Sequence, residues 1–125
     1  PFKVTVLPFI YEMAEAYSVA DLVVCRAGAS TVAEITALGK ASILIPYPYA
    51  AYNHQEMNAR RLLSRGACEM ILDRELNGEV LAKKITKILS EPNIKKEMEM
   101  ASRAFGKVNA GERIIEIAES LMRRK

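Results

Sequence analysis

Arg26, Gly28, Ala29, Ser30, Thr31 and Glu34 crowd into one short stretch, RAGASTVAE, and His54, Gln55 and Asn58 follow in a second, NHQEMN. Small residues, hydroxyls and one carboxylate before an apolar helical pattern form the kind of site that receives a phosphate or a sugar hydroxyl. The first backbone N–H groups of a helix lack intrahelical partners and carry a partial positive charge. Ser30 or Thr31 is placed to cap such a helix. Gly28 fits either a turn that needs φ > 0 or a ligand that comes close to the backbone. A carboxylate such as Glu34 accepts two O–H donors at once and so suits a vicinal diol, although an acid in a first helical turn is also favoured by the dipole alone. Arg26 can offset phosphate charge or form an ion pair with Asp21 or Glu34. His54 is the single histidine. A lone histidine orients or binds more often than it acts as a general base. The amide of Gln55 both donates and accepts, as sugar hydroxyls require, and Asn58 is placed to orient the loop.

The elements around these residues alternate. Residues 4–7 (VTVL), 21–25 (DLVVC), 42–45 (SILI) and 67–72 (ACEMIL) read as strands. The second has no alternation and reads as covered on both faces. Between them, Ile10, Met13, Ala14 and Tyr17 carry a helical period that places Ile10 in the core. Val32, Ile35 and Leu38 give the next helix its apolar side, with Gly39 as its stop. Met57, Leu62 and Leu63 face inward from a helix over about 54–65, ended by Gly66. Both polar stretches then fall at the carboxyl ends of strands, where open parallel sheets bind ligands. The remainder is helical. Leu81, Ile85 and Ile88 mark one helix capped by Asn77, and Pro92 opens another with Ile94, Met98, Ala101 and Phe105 on its face. Asn109 with Glu112 has the form of a capping box before a helix with Ala110, Ile114, Ile117, Ala118 and Leu121 inward. The fold class is α/β: one domain over residues 1–125, with a Rossmann-like parallel sheet of about four strands, flanking helices and a helical carboxyl terminus.

With 125 residues, half of them hydrophobic, the chain buries a sizeable core. No apolar run reaches the length of a membrane-spanning helix, and no signal peptide is visible. Two cysteines, Cys25 and Cys68, read as reduced thiols, with no metal-ligand spacing around them. The net charge of +3 is unevenly spread: residues 1–82 carry −2 and residues 83–125 carry +5. That basic tail reads as a solvated helix face. Its few aromatics argue against binding nucleic acid by stacking. No G-x-G-x-x-G follows a strand, against a dinucleotide oxidoreductase.

RAGASTVAE, a buried strand ending in proline and then NHQEMNA resemble the carboxyl-terminal domain of the MurG-type glycosyltransferases, as does PFIYEMAEAYSVADLVVCRAGA. The resemblance covers the whole chain and is densest over residues 8–67. It implies the GT-B architecture and an inverting UDP-N-acetylglucosamine transferase of peptidoglycan synthesis, which serves cell wall biogenesis, cell shape and division. It also implies a cytoplasmic enzyme peripheral to the inner face of the membrane. Glu34 would bind the ribose hydroxyls and the backbone of Ile10 the uracil edge. Gly28, Ala29, Ser30 and Thr31 would hold the diphosphate side. His54 and Gln55 would take the donor sugar and diphosphate, with Arg26 and Asn58 as further candidates. Tyr47, Tyr49 and Tyr52 are either loop packing or a wall for the sugar. The resemblance assigns no catalytic base, metal or cofactor to this half. A lipid-linked muramoyl-pentapeptide acceptor would enter through an amino-terminal domain. That domain, and a glycine-rich first turn found in relatives, are not among these residues. A start at Pro1 reads as a piece of a longer protein. The expectation is donor binding without transfer by this chain alone. The alternatives are a subunit of a split transferase and a noncatalytic oligomerisation module that pairs through an exposed sheet edge.

Overall fold

The computed structural model describes residues 2–124. Three strands, β1 (Val23–Cys25), β2 (Ser42–Leu44) and β3 (Glu69–Met70), form a parallel sheet in the order β1-β2-β3. Val24 aligns with Ile43 and Leu44 with Met70. Six helices surround it: α1 (Met13–Val19), α2 (Ala29–Leu38), α3 (His54–Leu63), α4 (Gly78–Ser90), α5 (Pro92–Phe105) and α6 (Ala110–Arg123). The α/β class and the parallel sheet are as the sequence predicts. The strand count is lower by one.

The missing strand is residues 4–7. They form no strand, and Val4 and Val6 are exposed. β-Propensity needs a neighbouring ladder to act on, and β1 has no partner on that side among the described residues. The same gap leaves Val24 of β1 40% exposed, so this strand is not covered on both faces. β2 lies between its neighbours and is buried at every residue.

Two apolar clusters sandwich the sheet. One gathers Tyr17, Ala27, Ile35, Leu44, Ala59 and Leu62 beneath α2 and α3. The other gathers Ile43, Ile45, Ile71, Ile88 and Met98 beneath α4 and α5. Fully buried aliphatic side chains such as Ile35, Ile43 and Ile88 each stabilise the fold by about 2 kcal/mol. Gly39 ends α2 in the left-handed conformation, φ 61°. Gly106 lets the end of α5 touch α2, since a Cβ there would lie 2.5 Å from the Thr36 carbonyl oxygen. Asn77 caps α4 by accepting from the Val80 N–H at 2.9 Å, and Pro92 stands at the first turn of α5, both as predicted.

Several predicted faces are corrected. Ile10 precedes α1 and is 41% exposed; Tyr17 is the buried residue of that helix. Leu38 and Met57 are exposed, while Ile35, Ala59 and Leu62 are buried in their helices. The largest departure is α6, where Ile114, Ile117 and Leu121 are all more than half exposed. Asn109 makes no side-chain cap there either. The amphipathic period is present, but among the described residues nothing covers its apolar side.

Candidate functional site

The Gln55 side chain joins the loops after β1 and β2. The Oε1 of Gln55 accepts from the Ala27 N–H at 3.1 Å and from the Tyr47 N–H at 3.0 Å. Asn58, one turn along α3, donates through Nδ2 to the Ala27 carbonyl at 3.0 Å. The backbone N–H and C=O of Ala27 are therefore both held by α3, and Ala27 itself is fully buried. Asn58 thus fastens the loop after β1, not the loop before α3 that the sequence suggests for it.

This bracket shapes an open cleft of about 400 Å³ lined by Gly28, Ala29, Ala50, His54, Gln55 and Asn58. Gly28 is the N-cap of α2 with φ −64° and ψ 152°, so neither Ser30 nor Thr31 caps the helix. Both lie inside its first turn. The first helical bond runs from the Val32 N–H to the Gly28 carbonyl at 2.9 Å. The N–H groups of Ala29, Ser30 and Thr31 have no backbone partner among the described residues. Gly28 needs no positive φ, and an added Cβ would lie 3.8 Å from Gln55 Nε2, in ordinary contact. Of its two sequence readings, the turn constraint is withdrawn and close approach to the backbone remains.

Glu34 stands in the second turn of α2, not the first, and is exposed. Its Oε2 accepts from the Tyr17 hydroxyl at 3.0 Å. Burial, then the hydrogen bond to Glu34 and its negative charge, push the Tyr17 phenol up to about 12. Glu34, Ile10, Ser30, Thr31 and Arg26 lie outside the cleft lining. Ile10 makes no backbone hydrogen bond among the described residues, so its peptide edge is open.

Arg26 pairs with neither Asp21 nor Glu34. Its Nη1 lies 2.6 Å from Asp73 Oδ1 and donates to the carbonyls of Ile45 and Pro46 at 3.2 and 3.3 Å. Asp21 pairs instead with Lys95, which holds its carboxyl below the usual range. The guanidinium of Arg26 also sits 5.7 Å from the Tyr47 ring centroid. It braces the loop after β2 from beneath. This contact spans 47 positions of sequence and had no local signal.

The loop before α3 is unusual in its backbone. Tyr52 and Asn53 have φ of 53° and 54°, and both are non-glycine residues in the left-handed region. The turn presents the exposed Tyr52 ring edge-on to His54, with centroids 5.9 Å apart. Tyr49 and Tyr52 are more than four-fifths exposed and contribute little to core packing. A second cavity of about 370 Å³, between α2, α3 and the end of α5, shares Ala29 and Asn58 with the cleft.

Cys25 and Cys68 are free thiols. Burial raises both, Cys25 to about 11 and Cys68 to about 12, which leaves them neutral and unreactive at ordinary pH.

A parallel sheet flanked by helices, with unpartnered N–H groups at the helix start that follows β1, defines a Rossmann-like α/β fold. The chain belongs to the glycosyltransferases described as Glycosyltransferase family 28 C-terminal domain, which it matches over residues 2–114. It is 85% identical to a Thermodesulfovibrio yellowstonii protein named UDP-N-acetylglucosamine--N-acetylmuramyl-(pentapeptide) pyrophosphoryl-undecaprenol N-acetylglucosamine transferase, over 99% of this chain and 34% of that protein. A protein of the same name from Desulforudis audaxviator is 49% identical over 97% of this chain and 32% of its own length. Among solved structures, the crystal structure of Acinetobacter baumannii MurG superposes with a TM-score of 0.86 at 36% identity. That match covers 94% of this chain and 35% of the other. The chain thus spans about a third of the length of the curated relatives it matches.

Proposed function

We propose that this chain is the donor-binding part of a UDP-N-acetylglucosamine transferase acting on a lipid-linked muramoyl-pentapeptide. The observation that carries the reading is the Gln55 bracket, which brings Gly28 and Ala29 at the start of α2 and the polar start of α3 to one cleft. The relatives' names supply the donor and acceptor.

In this reading the N–H groups of Ala29, Ser30 and Thr31 receive the diphosphate, and Gly28 lets it approach the backbone. Glu34 accepts the ribose hydroxyls, and the open peptide edge at Ile10 pairs with uracil. Gln55 Nε2 and His54 face the sugar, while Asn58 fastens the loop after β1 and Arg26 braces the loop after β2 from below. An acceptor hydroxyl attacks the anomeric carbon as the bond to the diphosphate breaks, and UDP departs with the bonding electron pair. Preorganised N–H donors stabilise the charge that develops on the leaving diphosphate. The base that takes the acceptor proton belongs to the remainder of the enzyme. The setting is the cytoplasmic face of the membrane, where a UDP-sugar and a lipid-linked acceptor meet.

Titration of the chain with UDP-N-acetylglucosamine, UDP and UDP-glucose, followed by NMR beside Glu34→Ala, tests this. Saturable shifts at residues 28–34 and 54–55, weakened in the variant, are expected. No shift at millimolar ligand, or transfer to acceptor by this chain alone, overturns the reading.

A second reading, a subunit that works only when docked on a partner carrying the acceptor site, is favoured by α6 with its uncovered Ile114, Ile117 and Leu121.

A further inference from the structure

Tyr17 is the buried residue of α1, with 7% of its surface exposed. Its ring is packed in the cluster with Ala27, Ile35 and Leu44, and its hydroxyl emerges to meet Glu34 Oε2 at 3.0 Å. No other hydrogen bond or ion pair to Glu34 occurs among the described residues, and its side chain points from an exposed helix face. Free glutamates on such a face sample several rotamers, and fixing one costs entropy when a ligand binds. A phenol held in the core by its whole ring has two torsions and little freedom. One oxygen of Glu34 is thereby tethered, while its other oxygen and the remaining lone pair stay available.

We propose that Tyr17 is a positioning residue: it holds the Glu34 carboxylate in the orientation that accepts a vicinal diol, and so makes the site select ribonucleotide over deoxyribonucleotide diphosphates. This rests on the assignment of Glu34 to the ribose. Tyr17 touches no ligand itself and acts only through Glu34. Its position on α1, a short step from Ile10, also ties the segment proposed to read the base to the helix that reads the sugar.

The alternative is that a buried phenol simply needs a partner for its O–H. The two are separated by the ligand. Binding of UDP and of 2′,3′-dideoxy-UDP is measured by NMR titration for the native chain, Tyr17→Phe, Glu34→Gln and the double variant. Tyr17→Phe is expected to weaken UDP about fivefold, the effect of one lost hydrogen bond, and to leave the dideoxy analogue unchanged. The double variant is expected to bind UDP no worse than Glu34→Gln alone, since the two residues act in series. 3-Fluorotyrosine in place of Tyr17 keeps the ring, strengthens the donor and is expected to tighten UDP alone. Equal weakening of both ligands by Tyr17→Phe, or no change in UDP, overturns the role of Tyr17. If Glu34→Gln weakens UDP and the dideoxy analogue equally, or leaves UDP unchanged, the ribose assignment falls first and the positioning role with it.

Discussion

Gln55 Oε1 lies 3.1 Å from the Ala27 nitrogen and accepts its hydrogen, although the two residues stand 28 positions apart. The same oxygen accepts from Tyr47, so one amide closes both loops around the cleft. Oε1 is used by the fold, and Nε2 makes no hydrogen bond among the described residues. The two halves of this side chain can therefore be tested separately.

Gln55→Glu keeps an acceptor for both N–H groups and replaces the Nε2 donor with an anionic oxygen. Folding is expected to survive, while binding of a diphosphate ligand is lost to charge repulsion. Gln55→Ala removes the acceptor and is expected to cost about 2 kcal/mol in urea denaturation, because two N–H groups lose their partner. Comparing unfolding midpoints and UDP titrations of the two variants checks the division.

Gly28→Ala is expected to leave the melting temperature within about 2 °C of the native value, since φ is −64° and the new Cβ meets its nearest neighbour at 3.8 Å. The same methyl group stands in the cleft beside Gln55 Nε2 and is expected to weaken UDP binding by about tenfold or more. Unchanged binding would show that no ligand comes close to this backbone.

Alkali is expected to destabilise the chain in a defined window. Tyr17 titrates at about 12 in the folded state against 10.0 for the free group. Cys25 and Cys68 titrate at about 11 and 12 against 9.0. Raised values mean that the neutral forms are favoured by folding. Their stabilising contribution is complete below pH 9 and is lost progressively as pH rises toward 12. Urea midpoints from pH 8 to pH 11 are expected to fall, and less steeply in Cys68→Ala than in the native chain. Midpoints that stay level would contradict the burial of these groups.

Ile117→Ser is expected to change the stability of this chain by less than about 0.5 kcal/mol, because Ile117 is 57% exposed and lies on a helix face with no cover. Ile35→Ser, at a fully buried position, is expected to cost several times more. Equal losses by urea denaturation would mean that α6 packs against the core in solution.

Much of this protein is written locally. The runs that become β1, β2 and β3, the stops at Gly39 and Gly66, the Asn77 cap and Pro92 all act within a few residues, through torsional preference or nearby hydrogen bonds. So do the two polar joints, because a strand followed by small residues and a helix start has the same meaning wherever it stands. By itself, then, the sequence determined the α/β alternation, the family and the position of the candidate site along the chain. Tertiary structure alone decided which side chains serve one another. Tyr17 reaches Glu34, Gln55 joins two loops, and Arg26 finds Asp73 rather than Asp21 or Glu34. Tyr17–Glu34, Ala27–Gln55 and Arg26–Asp73 stand 17, 28 and 47 positions apart, and no local period encodes them. Tertiary structure also decided which apolar faces are buried. Residues 4–7 and the apolar side of α6 have the patterns of a strand and a packed helix, yet both lie exposed. A pattern states that a face is apolar; burial requires a second surface, and only the assembled fold supplies or withholds it.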